Sequence, residues 1–238
     1  MKLLNKLNKL LAKRNSISFA NYLRAKGIKV GENTIFFSPQ KITIDTDRPW
    51  MVEIGNYCKI TAGVIILQHD YSRSVLRREY GEIIGESQKT IIGDNVFIGM
   101  NSIILMGSKI GNNVIIGAGS IVHGNIPDNV VIAGNPAKII CSLDDYYKKR
   151  KEKTLLEAVE TYNEFQKKYN REPSIKEMGS FWQLFLKKDI NELKKNRIFT
   201  KLNGDNEDEI IDYWINNVKP VFDSYDDFKK YANERRKK

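Results

Sequence analysis

The chain has 238 residues, 41% of them hydrophobic and 29% charged, with 6 prolines and a formal net charge of +10. That composition excludes a disordered chain, and no stretch approaches the roughly 18 consecutive apolar residues of a membrane span, so a folded cytoplasmic protein is expected. Two cysteines, Cys58 and Cys141, and two histidines, His69 and His123, are too few for a disulfide framework, a cysteine-rich zinc site or a three-histidine centre, so no metal is expected.

Residues 1–29 carry 8 Lys or Arg and no acid, residues 30–142 carry 9 against 10, and residues 143–238 carry 22 against 19. Nearly all the excess charge is therefore N-terminal, which argues against a nucleic-acid groove on the main domain. Within this basic N-terminal segment, residues 1–14 place Leu3, Leu4, Leu7, Leu10 and Leu11 on one helical face and Lys2, Lys6, Lys9 and Lys13 elsewhere. Two roles fit such an amphipathic basic helix: capping the open end of the next domain, or peripheral contact with an anionic membrane.

Residues 30–142 hold 13 of the 16 glycines and a six-residue period. Steps of six from Val30 meet Phe36, Ile42, Arg48, Ile54, Ile60 and Ile66, and steps of six from Ile92 meet Ile98, Ile104, Ile110, Ile116 and Val122; 12 of these 13 residues are apolar. Glycine follows at Gly31, Gly55, Gly93, Gly99, Gly111 and Gly117. A period of six is neither helical nor that of a flat strand, so it predicts short strands that turn a glycine-rich corner every six residues, coiled into a parallel β-helix. Between Ile66 and Ile92 the period slips by two and the apolar pattern lapses over residues 68–90, which reads as a loop thrown out of the coil. His69 stands at its root, where binding and catalytic groups are carried on a rigid scaffold.

The segments ITAGVIILQHDYS (60–72), IIGDNVFIGMNSIILMGSKIGNNVIIGAGSIV (91–122) and IPDNVVIAGNPAKII (126–140) resemble the hexapeptide-repeat acyltransferases, and HDYS followed by YGEIIG resembles those that O-acetylate capsular and other surface polysaccharides. The resemblance covers nearly half the chain. It implies a mainly β fold, a left-handed parallel β-helix of triangular section, assembled as a homotrimer with the donor in grooves between neighbours. It also implies acetyl-CoA as co-substrate and a saccharide acceptor.

Transfer to a sugar hydroxyl needs a base for the hydroxyl proton, and histidine titrates in the right range, so His69 is the expected general base. Asp70 and Tyr71 are expected near the acceptor, Asp70 less readily as the group orienting His69 because adjacent side chains diverge. Positions matching Met100, Ala118, His123, Gly124 and Lys138 contact CoA in relatives, and Lys138 suits a phosphate as a compact cation. Relatives often have threonine in place of His123 and lysine in place of Gly124, which leaves the contacts at those two positions open.

After Leu143 the period becomes helical. Leu155, Ala158, Val159, Tyr162, Phe165 and Tyr169 predict a helix over residues 151–169, with further helices over 174–188, 207–218 and 224–236. The aromatic residues of this C-terminal α-helical domain, residues 143–238, are expected to form its own core, with stacking on an acceptor sugar as the sharper alternative. The competing functions are N-acetyl transfer to an amino sugar, amino acid or antibiotic, and a non-catalytic β-helix scaffold.

Overall fold

The computed structural model describes residues 11–195 and 203–236. Residues 1–10, most of the expected amphipathic helix, lie outside them. The chain divides between Tyr146 and Tyr147 into two compact units.

The first unit is a three-sided parallel coil. Its first face stacks Lys29–Val30, Val52–Ile54, Thr90–Ile92, Lys109–Ile110 and Asn125–Ile126. The second stacks Ile35–Phe36, Lys59–Ile60, Phe97–Ile98, Ile115–Ile116 and Val130–Gly134, and the third Thr43–Ile44, Ile65–Ile66, Ile103–Ile104 and Ile121–Val122. Each strand pairs in parallel with the one three strands along the chain: Ile98 lies on Ile116, Ile104 on Val122, Ile92 on Ile110. One large side chain per face points inward, so Ile54, Ile60, Ile66, Ile98, Ile104 and Ile116 are all essentially inaccessible to water. Ser142 then ends a strand, Ala137–Ser142, that returns antiparallel to Val130–Gly134.

In the first coil the register departs from the sequence period. The stacked residue of the third face is Ile44, over Ile66, and not Ile42. Single-turn 3₁₀ segments at Pro39–Lys41 and Pro49–Met51 lengthen two sides, and together their extra residues amount to one whole hexad, so the period resumes in phase at Ile54. Arg48, the one polar residue in the expected series, therefore flanks a turn instead of entering the core.

One edge is held by a side-chain ladder. Asn56 Oδ1 accepts from the Glu32 amide (2.8 Å), Asp94 Oδ1 from the Asn56 amide (2.7 Å), Asn112 Oδ1 from the Asp94 amide (2.8 Å) and Asp128 Oδ1 from the Asn112 amide (2.7 Å). The corner residues Asn33, Asn95, Asn113 and Asn129 take φ of 54–59°, the left-handed region that asparagine tolerates well. A helix, Ser16–Lys26, covers the first coil: Phe19 and Leu23 are buried and Phe19 packs edge-on against Phe36 (5.1 Å). Asn15 caps it through the Ser18 amide (2.8 Å), and Gly27 at φ 98° ends it. The capping role expected of residues 1–14 is thus filled, among the described residues, by this later helix.

The excursion is not wholly a loop, because Arg73–Tyr80 is helical, closed by Gly81 at φ 71°. None of its residues is buried, which is why no apolar period betrays it.

The second unit is helical. A long helix, Leu143–Tyr169, crosses the division between the units, starting eight residues before the expected one. Glu207–Asn217 and Tyr225–Arg236 match two expected helices, and Ile190–Lys195 is an additional short one. The helix expected over 174–188 is instead a turn and a 3₁₀ segment, Gly179–Leu184. Trp182, Leu184, Phe185 and Leu186 are all buried, which a one-faced α-helix cannot achieve, and Gly179 takes φ 55°. Tyr162, Trp182, Phe185, Trp214 and Phe228 form the core of this unit, whereas Tyr213 stays 65% exposed. Among the described residues no helix is long and apolar enough to cross a membrane.

Candidate active site

The excursion leaves the coil at the edge where the third face turns into the first, and its two ends are clamped together. The Gln88 amide donates to the Gln68 carbonyl (3.0 Å), Ser87 Oγ donates to Gln68 Oε1 (3.0 Å), and Thr90 Oγ1 donates to the Leu67 carbonyl (2.6 Å). Gln68 is fully buried, so the residue next to it, His69, leaves a fixed point of backbone.

His69 meets a carboxylate from one coil earlier. Asp45 follows the interior Ile44 and stacks above Leu67, its amide donating to the Ile66 carbonyl (3.0 Å). This register sets Asp45 Oδ2 against His69 Nδ1. The side chains of His69 and Asp45 are 22% and 11% exposed, so the pair is largely screened from water while the ring keeps an open side. On that side Nε2 lies 3.9 Å from Oδ2 of the exposed Asp47, beyond hydrogen-bonding distance. The ligating atoms of Asp45, Asp47 and His69 lie within 4.8 Å of one another, a spacing that can hold a cation as well as a proton.

Asp70 and Tyr71 face other partners. Asp70 Oδ1 accepts from the amide (2.8 Å) and hydroxyl (2.6 Å) of Ser72, bonds that hold its carboxyl below the usual range. Tyr71 is 62% exposed beneath two guanidinium groups, Arg73 at 5.4 Å and Arg77 at 5.9 Å from its ring. Arg77 also donates to its hydroxyl (3.5 Å) and favours the phenolate. Cys58 is buried, and burial pushes its thiol up, so it makes a poor nucleophile.

The five positions expected at CoA separate onto two edges. Met100 and Ala118 occupy one corner on successive coils, between the second and third faces, where the Gly119 amide donates to the Met100 carbonyl (2.8 Å). Lys138 joins them from the returning strand, paired with Ala133, whose Cβ lies 2.8 Å from where a side chain on Gly117 would begin. All three are exposed. His123 and Gly124 belong to the edge of His69: the Leu105 amide donates to the Val122 carbonyl (2.9 Å) one coil beyond the Leu67 amide's bond to Ile104 (2.9 Å). At Gly119 (φ 70°) and Gly124 (φ 74°) a Cβ would meet nothing within 4 Å, so both edges leave main chain bare.

Asp45 and Asp47 escaped the sequence reading. Their signal was present, acids one and three places after an interior isoleucine in ITIDTD, but it is legible only once Ile44 is known to be the stacked residue.

Residues 89–124 match the family model described as bacterial transferase hexapeptide (six repeats). Protein CapG of Staphylococcus aureus is 42% identical over 142 residues, which cover 60% of this chain and 81% of CapG. The putative lipopolysaccharide biosynthesis O-acetyl transferase WbbJ of Escherichia coli K12 is 54% identical over 55 residues, 23% of this chain and 28% of WbbJ. The galactoside O-acetyltransferase of the same organism is 37% identical over 118 residues, 50% of this chain and 55% of that enzyme.

Proposed function

The chain belongs to the hexapeptide-repeat acyltransferases, and on that premise we propose that it transfers acetyl from acetyl-CoA to a hydroxyl of a saccharide, a component or precursor of a surface polysaccharide, with His69 as general base. The observation that carries this reading is the Asp45–His69 contact at the root of a clamped excursion. An imidazole whose Nδ1–H faces a carboxylate keeps its lone pair on Nε2, the side left open to an acceptor. That nitrogen takes the hydroxyl proton as the oxygen attacks the acetyl carbonyl, and returns it to the departing CoA sulfur. Asp45 fixes the tautomer and ring orientation and steadies the imidazolium that forms. The names of two relatives support a sugar hydroxyl: one is a galactoside O-acetyltransferase, the other a putative lipopolysaccharide O-acetyl transferase.

In this reading the coil is left-handed, the protein works in the cytoplasm, and CoA lies along the Met100–Ala118 edge with its phosphates towards Lys138. Lys138→Ala is expected to weaken CoA binding about tenfold, the loss of one charge-assisted contact, and to leave dephospho-CoA nearly unaffected. Equal losses for both nucleotides would remove Lys138 from the 3′-phosphate.

The reaction draws on no metal, so dialysis against a chelator is expected to leave the rate unchanged. Inactivation reversed by a divalent cation would instead assign Asp45, Asp47 and His69 to a cation. The deciding assay measures thiol release from acetyl-CoA against free sugars, nucleotide sugars, polysaccharides, amino sugars and amino acids. An ester on a saccharide hydroxyl is the expected product. Preferential acetylation of an amine would overturn the acceptor class, and thiol release without any acceptor would overturn transfer itself.

A further inference from the structure

The second unit carries a cleft that the acetyl-transfer chemistry does not use. It occupies about 490 Å³, within the range of small-ligand sites, between the long helix and the segments around Leu184 and Val218. Its floor is apolar, from Leu155, Leu184 and Val218. Two tyrosines stand at its walls with their rings open to solvent, Tyr147 (61% exposed) and Tyr213 (65% exposed).

The charge of the lining is one-sided. Arg150, Lys151 and Lys219 line the cleft, and among the described residues no carboxylate does. Arg150 is committed to Glu157 by two bonds of 2.8 and 2.6 Å, which leaves two lysine charges in excess. Lys151 lies 5.8 Å from the centre of the Tyr147 ring, so that wall presents an aromatic face and a cation together. Two neutral polar groups are left with acceptor oxygens: Thr154 Oγ1 already donates to the Arg150 carbonyl (2.8 Å), and Asn217 Nδ2 to the Tyr213 carbonyl (3.0 Å). Their remaining oxygens suit a ligand rich in hydroxyl donors.

We propose that this cleft binds an acidic saccharide, the tyrosines stacking on sugar rings, Lys151 and Lys219 holding the carboxylate or phosphate, and Thr154 and Asn217 accepting from hydroxyls. Amphipathic rings meet the apolar face of a pyranose, and point-charge ammonium groups take an anion without demanding a bidentate fit. The proposal does not rest on the acetyl-transfer reading, since none of these residues belongs to the coil.

Calorimetry of the full-length protein at low salt tests it, with trigalacturonate and glucose 1-phosphate as probes, maltotriose as the neutral control and AMP as a stacking anion that is not a saccharide. At least one acidic probe is expected to bind with a submillimolar Kd and maltotriose at least tenfold more weakly. The paired substitution Lys151→Gln and Lys219→Gln is expected to cost about tenfold or more, and Tyr213→Ala about five- to tenfold. All three positions are exposed, so the variants fold, as circular dichroism would verify. His69→Ala is expected to bind like the wild type, which separates this site from the catalytic one. Absence of heat with both acidic probes, binding that survives the substitutions, equal binding of maltotriose, or tighter binding of AMP through the same residues would each overturn the proposal.

Discussion

His69→Ala is expected to lower acetyl transfer by about 10²- to 10⁴-fold while leaving the fold and CoA binding near normal, the usual contribution of a positioned general base. The fold should survive because the side chain leaves the coil at the edge, and the clamp that closes the excursion uses Gln68, Ser87, Gln88 and Thr90 instead. Asp45→Asn should cost nearly as much, about 10³- to 10⁴-fold in kcat with the KM for acetyl-CoA unchanged, because an amide can keep the ring in place but holds the tautomer with its proton on Nε2 and cannot steady the imidazolium. That split distinguishes Asp45 from a residue that merely supports the edge, whose loss would move both constants or the melting temperature. A His69→Ala enzyme that kept more than about a third of the wild-type rate on its true acceptor would remove the base from the mechanism.

The coil was legible because its interior tolerates only one large apolar residue per side, so the period is written directly into residues such as Ile98, Ile104, Ile110 and Ile116. The same regularity misleads in the first coil. Two proline-initiated 3₁₀ turns add residues that sum to a hexad, so the period keeps its phase while Ile42 and Arg48 lose their apparent places. The candidate site was half legible. A lapse in period marks the excursion and the family resemblance at HDYS singles out His69 at its root, but Asp45 reaches it through the stacking register, which depends on turns that have no period. The Arg73–Tyr80 helix was hidden because it buries nothing, and the segment around Gly179–Leu184 was misread because Trp182, Leu184, Phe185 and Leu186 are all buried although they would lie on different faces of an α-helix.

A mixture of two dead enzymes is expected to recover about a quarter of wild-type activity. His69 lies on one edge of the coil, whereas Met100, Ala118 and Lys138 lie along another, so a donor on the second edge is presented to the first most simply by a neighbouring chain. The outward residues of the third face include Ile65, Ile103 and Ile121, while those of the first face include Lys29, Glu53, Lys109 and Asn125, so the faces differ in what they can bury. Closed threefold packing of a triangular prism would cover such an apolar side and bring the two edges together. Val75, Leu76, Tyr80 and Ile83, exposed on the excursion, offer the same neighbour a further apolar contact. Ala118→Trp fills the donor edge at an exposed position, and His69→Ala removes the base. In homotrimers of either variant every site is defective. In a trimer whose interfaces each take the histidine from one chain and the groove from the next, equal co-expression of the two would leave about one site in four with both intact. Sedimentation as a monomer at micromolar concentration would refute the assembly, and hybrid trimers confirmed by mass but without activity would place histidine and groove in the same chain.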